Sequence, residues 1–257
     1  MLLYETIVNT NEKIIKKQNI SKEEKNNIVN FFLKNISTEE KVNRFRGKST
    51  KNMYPFYYIP TLNNDEKYRM ITGYKPKTNI LSANAYELEI LMLLHLFDGK
   101  NKIVKDIVNN TINRLDKTCF GHYCSKGECL PTSIVVLRFL NTVRIGNEQW
   151  FNELFDPMIE LFLNQGGMGT KNHFQFYYFC LALCELPIEM VEKYIRKKKD
   201  FLIRMLTRGC LIGPAINDTY STLLLYIMRN ALGRITEYEY LKNNEINIKG
   251  NRCYCDV

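Results

Sequence analysis

The hydrophobic positions of the chain recur with helical spacing almost throughout, and strand signals are nearly absent. Ser21–Glu24 is a capping box, in which a hydroxyl and a carboxylate satisfy the first backbone donors of a helix. Behind it, four apolar residues fall on one helix face: Ile28, Val29, Phe32 and Leu33. Ser82 is predicted to cap another helix, which runs to Phe97 and is too hydrophobic to lie on the outside. The pattern therefore predicts an all-α protein.

From residue 101 the pattern repeats, and each repeat pairs an amphipathic helix with a more apolar one across a glycine-containing turn. The paired helices are predicted at 102–115 and 131–143, at 150–163 and 173–186, and at 191–206 and 218–232. The last turn glycines, Gly121, Gly169 and Gly213, are 48 and 44 residues apart, a period typical of stacked helical hairpins. The apolar helices are expected to form an inner layer, with the amphipathic helices outside. An open solenoid of the same hairpins is the alternative.

The length of the chain, 257 residues, allows one large domain or two small ones. Because hairpins of this spacing cannot bury their apolar faces separately, a single domain is predicted over residues 1–257. Its parts are N-terminal helices (1–45), a long irregular segment (46–81), the hairpin repeats (82–233), and a C-terminal helix with a cysteine-containing tail (234–257). The irregular segment is rich in aromatic residues and prolines, and is either functional or an arm packed on the surface.

Two stretches of the repeats resemble the terpenoid cyclase and protein prenyltransferase superfamily. Residues 159–169 (Ile-Glu-Leu-Phe-Leu-Asn-Gln-Gly-Gly-Met-Gly) resemble the Q-x-x-G-x-W-type repeat of squalene cyclases and the G-G-F-x-G turn of the prenyltransferase β subunit. Residues 218–222 (Asp-Thr-Tyr-Ser-Thr) resemble the prenyltransferase D-x-Y-H-T segment. The resemblance covers about residues 82–233. It implies an α/α toroid, complete or incomplete, in which helical hairpins surround a central funnel.

The sequence departs from these families at their catalytic motifs. It contains no two adjacent aspartates, whereas the cyclases protonate their substrates with D-x-D-D and class I terpene synthases bind magnesium with D-D-x-x-D. Ser221 stands where the prenyltransferases have a zinc-binding histidine, and serine does not replace it as a ligand. The prenyltransferase zinc site is therefore not expected at its usual position.

A different metal site is predicted in the first turn of the repeats. Cys119, His122, Cys124 and Cys129 bring three thiols and an imidazole into eleven residues, the ligand number that a tetrahedral zinc ion needs. Gly121 and Gly127 would let the loop curl so that these side chains converge. The alternatives are a packed turn with reduced thiols and a redox-active or catalytic thiol.

The candidate catalytic residues follow from the toroid. His173, Asp218 and Tyr220 begin inner helices and would lie at the same funnel rim as the cysteine-rich turn, where helix N-termini favour anions such as diphosphate. Asp218 alone is also a plain N-cap, and His173 alone is also an ordinary helix-start residue. Glu87 or Glu89, within an apolar helix, is either a buried general acid or a partly exposed edge residue.

The other cysteines are less informative about function. Cys180 and Cys184 lie four residues apart on an apolar helix and are predicted to belong to the core. Cys210 falls in a turn, and its role stays open. Cys253 and Cys255 form either a frayed tail or extra ligands on a tail that folds back.

Composition limits the partners. The 36 Lys and Arg exceed the 27 Asp and Glu, a formal charge of +9, but no nucleic-acid fold signature is present and no nucleic-acid partner is expected. The basic run at residues 196–199 is predicted to be a solvated helix face, with a phosphate- or nucleic-acid-binding patch as the minority interpretation. No apolar run reaches the length of a membrane span, and the first residues do not resemble a signal peptide. A cytoplasmic protein with reduced cysteines is therefore expected.

Two functions follow from these features. The first is a cyclase- or prenyltransferase-like protein that binds an apolar, prenylated or peptide substrate in the funnel, with zinc at its rim. The second is a non-catalytic helical scaffold that binds a partner protein or peptide, with a metal ion that is only structural.

Overall fold

A computed structural model describes residues 3–35, 71, 79–115, 129–143, 152–157, 173–211 and 218–257. Within these ranges, side chains are described except at 79–85, 114, 129–132, 173–177, 211 and 218–221. The described residues are mostly helical, with one small sheet, so the prediction of an all-α protein is confirmed in its main feature. No helix in these ranges combines the length and apolar character that crossing a membrane would require.

The helices lie close to the positions that the hydrophobic pattern predicts. They are α1 (Leu3–Ile15), α2 (Lys22–Lys34), α3 (Asn79–Asp98), α4 (Lys102–Leu115), α5 (Cys129–Val143), a short stretch at 152–157, α6 (His173–Glu185), α7 (Ile188–Arg208) and α8 (Asp218–Leu232). A 3-10 helix (Thr236–Asn243) and the strands β1 (Cys210–Leu211), β2 (Ile246–Lys249) and β3 (Arg252–Cys255) complete the described elements.

The first residues of α2 and α3 test two predicted helix caps. The Ser21 hydroxyl accepts a hydrogen bond of 3.1 Å from the backbone N–H of Glu24, so Ser21 is the predicted N-cap of α2. The predicted cap at Ser82 is wrong, because α3 already begins at Asn79 and Ser82 lies inside it. Ile80 and Leu81 extend the apolar pattern upstream, which allows the helix to start earlier than the serine.

The described elements belong to two compact units. Unit 1 contains residues 3–10 of α1, helices α2 to α5 and the stretch at 152–157. Unit 2 contains the remainder of α1, helices α6 to α8, the 3-10 helix and the three strands. The single domain over residues 1–257 and the arrangement of the hairpins as a toroid stay predictions.

In unit 1, helix α3 is the centre of the core and packs against α2, α4 and α5. Every side chain from Tyr86 to Leu94 is at most 2% exposed, so this part of α3 is buried on all sides, as its uniform hydrophobicity predicts. Helix α4 is amphipathic, since it buries Val104 and Ile107 while Ile103 and Lys105 face solvent. The sequence therefore correctly separates an inner helix from an outer one in this unit.

In unit 2, helix α8 is the centre of the core and packs against α6, α7, the 3-10 helix and all three strands. The strands form an antiparallel sheet in the order β1-β3-β2, with Cys210 opposite Cys253 and Ile246 opposite Cys255. Strands β2 and β3 are joined through Gly250 and Asn251, and Gly250 has a φ of +60°. The hydrophobic pattern therefore failed to predict the β-hairpin of β2 and β3, which follows the 3-10 helix.

Candidate functional site

Helix α3 places two glutamates, Glu87 and Glu89, in the core of unit 1. Glu87 and Glu89 are both 0% exposed, so the expectation of a partly exposed edge residue is wrong for both. Because they are two residues apart, they project from the helix about 200° from each other. The residues around both glutamates on α3 are apolar and buried, and the glutamates are buried with them. Glu87 is therefore a buried acid, as the catalytic hypothesis requires.

Glu89 forms an ion pair with Arg138 of helix α5. Nη1 of Arg138 donates to both carboxylate oxygens of Glu89, at 2.8 and 2.7 Å, and the two side chains are 5% and 0% exposed. Burying either charge alone would be costly, whereas two charge-assisted hydrogen bonds offset part of that cost. Helix α5 is apolar on both sides of Arg138 in sequence, and Leu137 and Phe139 are both buried.

Further polar side chains are buried in unit 1. The Tyr86 ring meets the Tyr4 ring edge to face, with centroids 6.2 Å apart. The Thr10 hydroxyl donates to the Thr6 carbonyl at 2.6 Å, which satisfies it within α1. The buried polar residues of this unit are Thr6, Thr10, Glu87, Glu89, Thr111, Ser133 and Arg138. The core of unit 1 thus buries two carboxyl groups, an arginine and several hydroxyls among apolar side chains.

Arg138 is the residue of this cluster that sequence reasoning missed. The signal was present, because an arginine between Leu137 and Phe139 in an apolar helix needs a buried acidic partner. Glu87 and Glu89 were both visible as acids in an apolar helix, so a pairing with one of them could have been predicted. Which one pairs depends on the packing of α3 against α5.

The predicted zinc ligands are not tested by the structure. Cys119, His122 and Cys124 lie outside the described residues, and Cys129 is the first residue of α5, where only its backbone is described. Across the part of the chain that the structure describes, no three His, Cys, Asp or Glu side chains are grouped so that they could hold a metal ion. Zinc at the cysteine-rich turn stays a prediction.

The three candidate rim residues lie at helix starts, as predicted. His173 is the first residue of α6, Asp218 is the first residue of α8, and Tyr220 lies in the first turn of α8. Their side chains are outside those described. The helix starts are therefore confirmed, and the convergence of these residues on one site stays a prediction.

Unit 2 contains five described cysteines. Cys180 of α6 is completely buried, which confirms that it belongs to the core, and burial together with the neighbouring Cys184 thiol raises its pKa well above the usual range. Cys184 is half-buried and donates to the Ile227 carbonyl at 3.2 Å. Cys253 and Cys255 are completely buried on β3, so the frayed-tail interpretation is wrong. The tail folds back as a strand instead.

Comparisons with protein-family models, with curated proteins and with solved structures find no match. The resemblance to the terpenoid cyclases and prenyltransferases is therefore a prediction from the motifs alone.

Proposed function

We propose that the chain is a terpenoid cyclase- or prenyltransferase-like protein that acts on an apolar, prenylated or peptide substrate, with Glu87 as the proton donor. The observation that carries this proposal is the complete burial of Glu87 on an inner, apolar helix, two residues from an acid that is ion-paired. Two carboxyl groups in different environments are the usual basis for dividing acid and electrostatic roles.

The medium around a carboxyl group determines whether its neutral or its charged form is favoured. Away from water, the neutral form of a carboxylic acid is favoured over its anion, and a neutral acid can protonate an alkene or a leaving group. The Glu89 carboxylate and the Arg138 guanidinium form an ion pair, which places a dipole inside the same core. A cation that develops on an apolar substrate would be stabilised by such a preorganised charge arrangement.

The finer fold belongs to this proposal. We propose an α/α toroid, which is supported in unit 2 by the predicted pairing of the amphipathic helix α7 with the more buried helix α8. In that arrangement His173, Asp218 and Tyr220 would bind the polar end of the substrate at the rim. Zinc held by Cys119, His122, Cys124 and Cys129 would supply a Lewis acid or a structural crosslink.

We expect the variant Glu87→Gln to lose turnover and keep binding. The wild-type protein is incubated with prenyl diphosphates of several chain lengths, with product formation followed by mass spectrometry and binding followed by the ligand-induced shift in Tm. Glu87→Gln preserves the shape of the side chain but removes its proton, so turnover should fall by about 100-fold or more. The shift in Tm should be retained.

The matched control for this experiment is Glu23→Gln, because Glu23 is an exposed carboxylate on α2. It should leave both turnover and the shift in Tm unchanged. Undiminished turnover by Glu87→Gln would remove the catalytic role of Glu87. A wild-type protein that gives neither product nor a shift in Tm would overturn the enzymatic proposal and favour the second function.

The second candidate function, a scaffold for a partner protein or peptide, is favoured by one observation on α7. Lys193, Lys197, Arg204 and Arg208 are all exposed, and their spacing places them within about 60° around the helix axis over about 22 Å. We refer to these four residues as the basic stripe. The exposed Asp200 lies on the same face, so the net charge of this face is about +3, which, with its length, fits an extended acidic segment of a partner.

Charge reversal within the basic stripe is expected to abolish binding of an acidic peptide. A fluorescent ten-residue glutamate peptide should bind the wild-type protein at low salt, and Lys197→Glu with Arg204→Glu should weaken this binding at least tenfold, as measured by fluorescence anisotropy. The control is Lys102→Glu with Lys105→Glu, which reverses two exposed charges on α4. Equal losses in both double variants would show a response to net charge only and would contradict a site on α7.

A further inference from the structure

Strand β1 places one thiol directly opposite another on β3. Cys210 and Cys253 are partners in the antiparallel register, although 43 positions separate them along the chain. The Cys253 thiol donates to the Cys210 carbonyl at 3.6 Å, so the Cys253 side chain is directed at the backbone of its partner. Cys210 is half-buried and Cys253 is completely buried, which leaves Cys210 as the thiol that a small reagent reaches first.

The register of this pair is compatible with a disulfide. Directly opposed residues of antiparallel strands have Cα atoms about 4.5–5.5 Å apart, and disulfides span Cα distances of about 4.4–6.8 Å. Gly209, which precedes Cys210, allows the strands to lie close together, because a Cβ atom at this position would lie 2.0 Å from the Cys253 carbonyl oxygen. A bond between the two sulfur atoms therefore requires side-chain rotation and no separation of the strands.

We infer that Cys210 and Cys253 form a reversible dithiol–disulfide site that is oxidised by low-molecular-weight disulfides. The Cys210 thiolate attacks one sulfur of the small disulfide, forms a mixed disulfide and releases one small thiolate. The Cys253 thiolate then attacks the Cys210 sulfur and releases the second small thiolate. The protein loses two electrons and two protons, and the small disulfide becomes two thiols.

The consequence of closing this bond lies in unit 2. The disulfide ties Cys210, two residues beyond the end of α7, to β3, and α8 lies within the loop that it closes. A crosslink over a loop of this length restricts the unfolded chain and stabilises the folded one. Oxidation is therefore expected to raise the Tm, and a reductant such as dithiothreitol should restore the original value.

The reaction should be slow at neutral pH and accelerate in base. Burial and the neighbouring Cys253 thiol raise the pKa of Cys210 to about 11, so only a small fraction is thiolate at pH 7. Because the thiolate is the nucleophile, its concentration rises about tenfold for each pH unit below this value. The rate of oxidation between pH 7 and pH 9 should rise with nearly the same slope.

The test uses the full-length protein, glutathione disulfide as the probe, alkylation of remaining thiols, and mass spectrometry of tryptic peptides. Tryptic cleavage gives the peptide 209–229, whose only cysteine is Cys210, and the peptide 253–257, which contains both Cys253 and Cys255. Cys255→Ser is therefore the matched control, because Cys255 is equally buried on the same strand but lies opposite Ile246. It should form the crosslink at the wild-type rate.

Cys253→Ser should instead stop at the mixed disulfide of Cys210 with glutathione and show no rise in Tm. The inference is overturned if wild-type protein that is folded by circular dichroism forms no 209–229 to 253–257 crosslink. It is also overturned if Cys255→Ser, rather than Cys253→Ser, blocks the crosslink.

Discussion

Replacing Arg138 with methionine is expected to lower the free energy of unfolding by about 3–5 kcal/mol. Methionine keeps much of the length of the side chain and its packing within α5, but removes the guanidinium that donates two hydrogen bonds to Glu89. Glu89, which is 0% exposed, would then hold its carboxylate in the core without that cation. Chemical denaturation at neutral pH, followed by circular dichroism, measures the loss.

Two controls separate the loss of the ion pair from the loss of an arginine. The double variant Glu89→Met with Arg138→Met removes both charges, and its stability should return close to that of the wild type. Arg196→Met removes an exposed arginine of α7 that pairs with Glu192 of the same helix and with Glu237 of the 3-10 helix. It should leave the free energy of unfolding nearly unchanged. If Arg138→Met were no more damaging than Arg196→Met, the buried pair would not be needed for stability.

Replacing Gly209 with alanine is expected to lower the free energy of unfolding by about 2–6 kcal/mol. Gly209 has a φ of +70° and a ψ of −174°, a region that is essentially restricted to glycine. The added Cβ would also lie 2.0 Å from the Cys253 carbonyl oxygen, so β1 or β3 would have to move. Denaturation curves measure the overall cost, and hydrogen exchange on β3 would show where pairing is lost.

Gly250→Ala is the matched control for this variant. Gly250 also has a positive φ, +60°, but nothing lies within 4 Å of the position its Cβ would occupy. Its cost should be about 1 kcal/mol, from backbone strain in the β2–β3 turn alone. The difference between the two variants measures the close approach of Gly209 to β3 together with the more restricted backbone conformation at Gly209. Equal costs would mean that the strands separate without penalty at Gly209.

The helices were largely predictable from the sequence. Helices α4 and α8 begin and end at the predicted residues, and α5, α6 and α7 differ from their predicted bounds by at most three residues. These helices bury apolar residues at helical spacing, so the local pattern and the tertiary packing agree. The cap at Ser21 was predictable for the same reason, because its hydrogen-bond partner is only three residues away.

The sheet shows where local pattern was insufficient. Strand β1 has two residues and β2 has four, too few for a periodicity to be recognised. The Gly250–Asn251 dipeptide lies between two short stretches in which apolar and polar residues alternate, a signal from which the β2–β3 hairpin could have been predicted. No local signal pairs β1 with β3, because the contact joins segments that are far apart in the chain.

By itself, the sequence determined the helical class, most helix bounds, the apolar character of α3 and the candidate status of Glu87. The tertiary structure decided that both glutamates of α3 are completely buried, that Glu89 pairs with Arg138 from 49 positions away, and that Cys210 faces Cys253. The physical reason is the range of the interactions. Helix periodicity and capping act within a few residues, whereas burial of a charge and opposition of two thiols depend on which distant segments pack together.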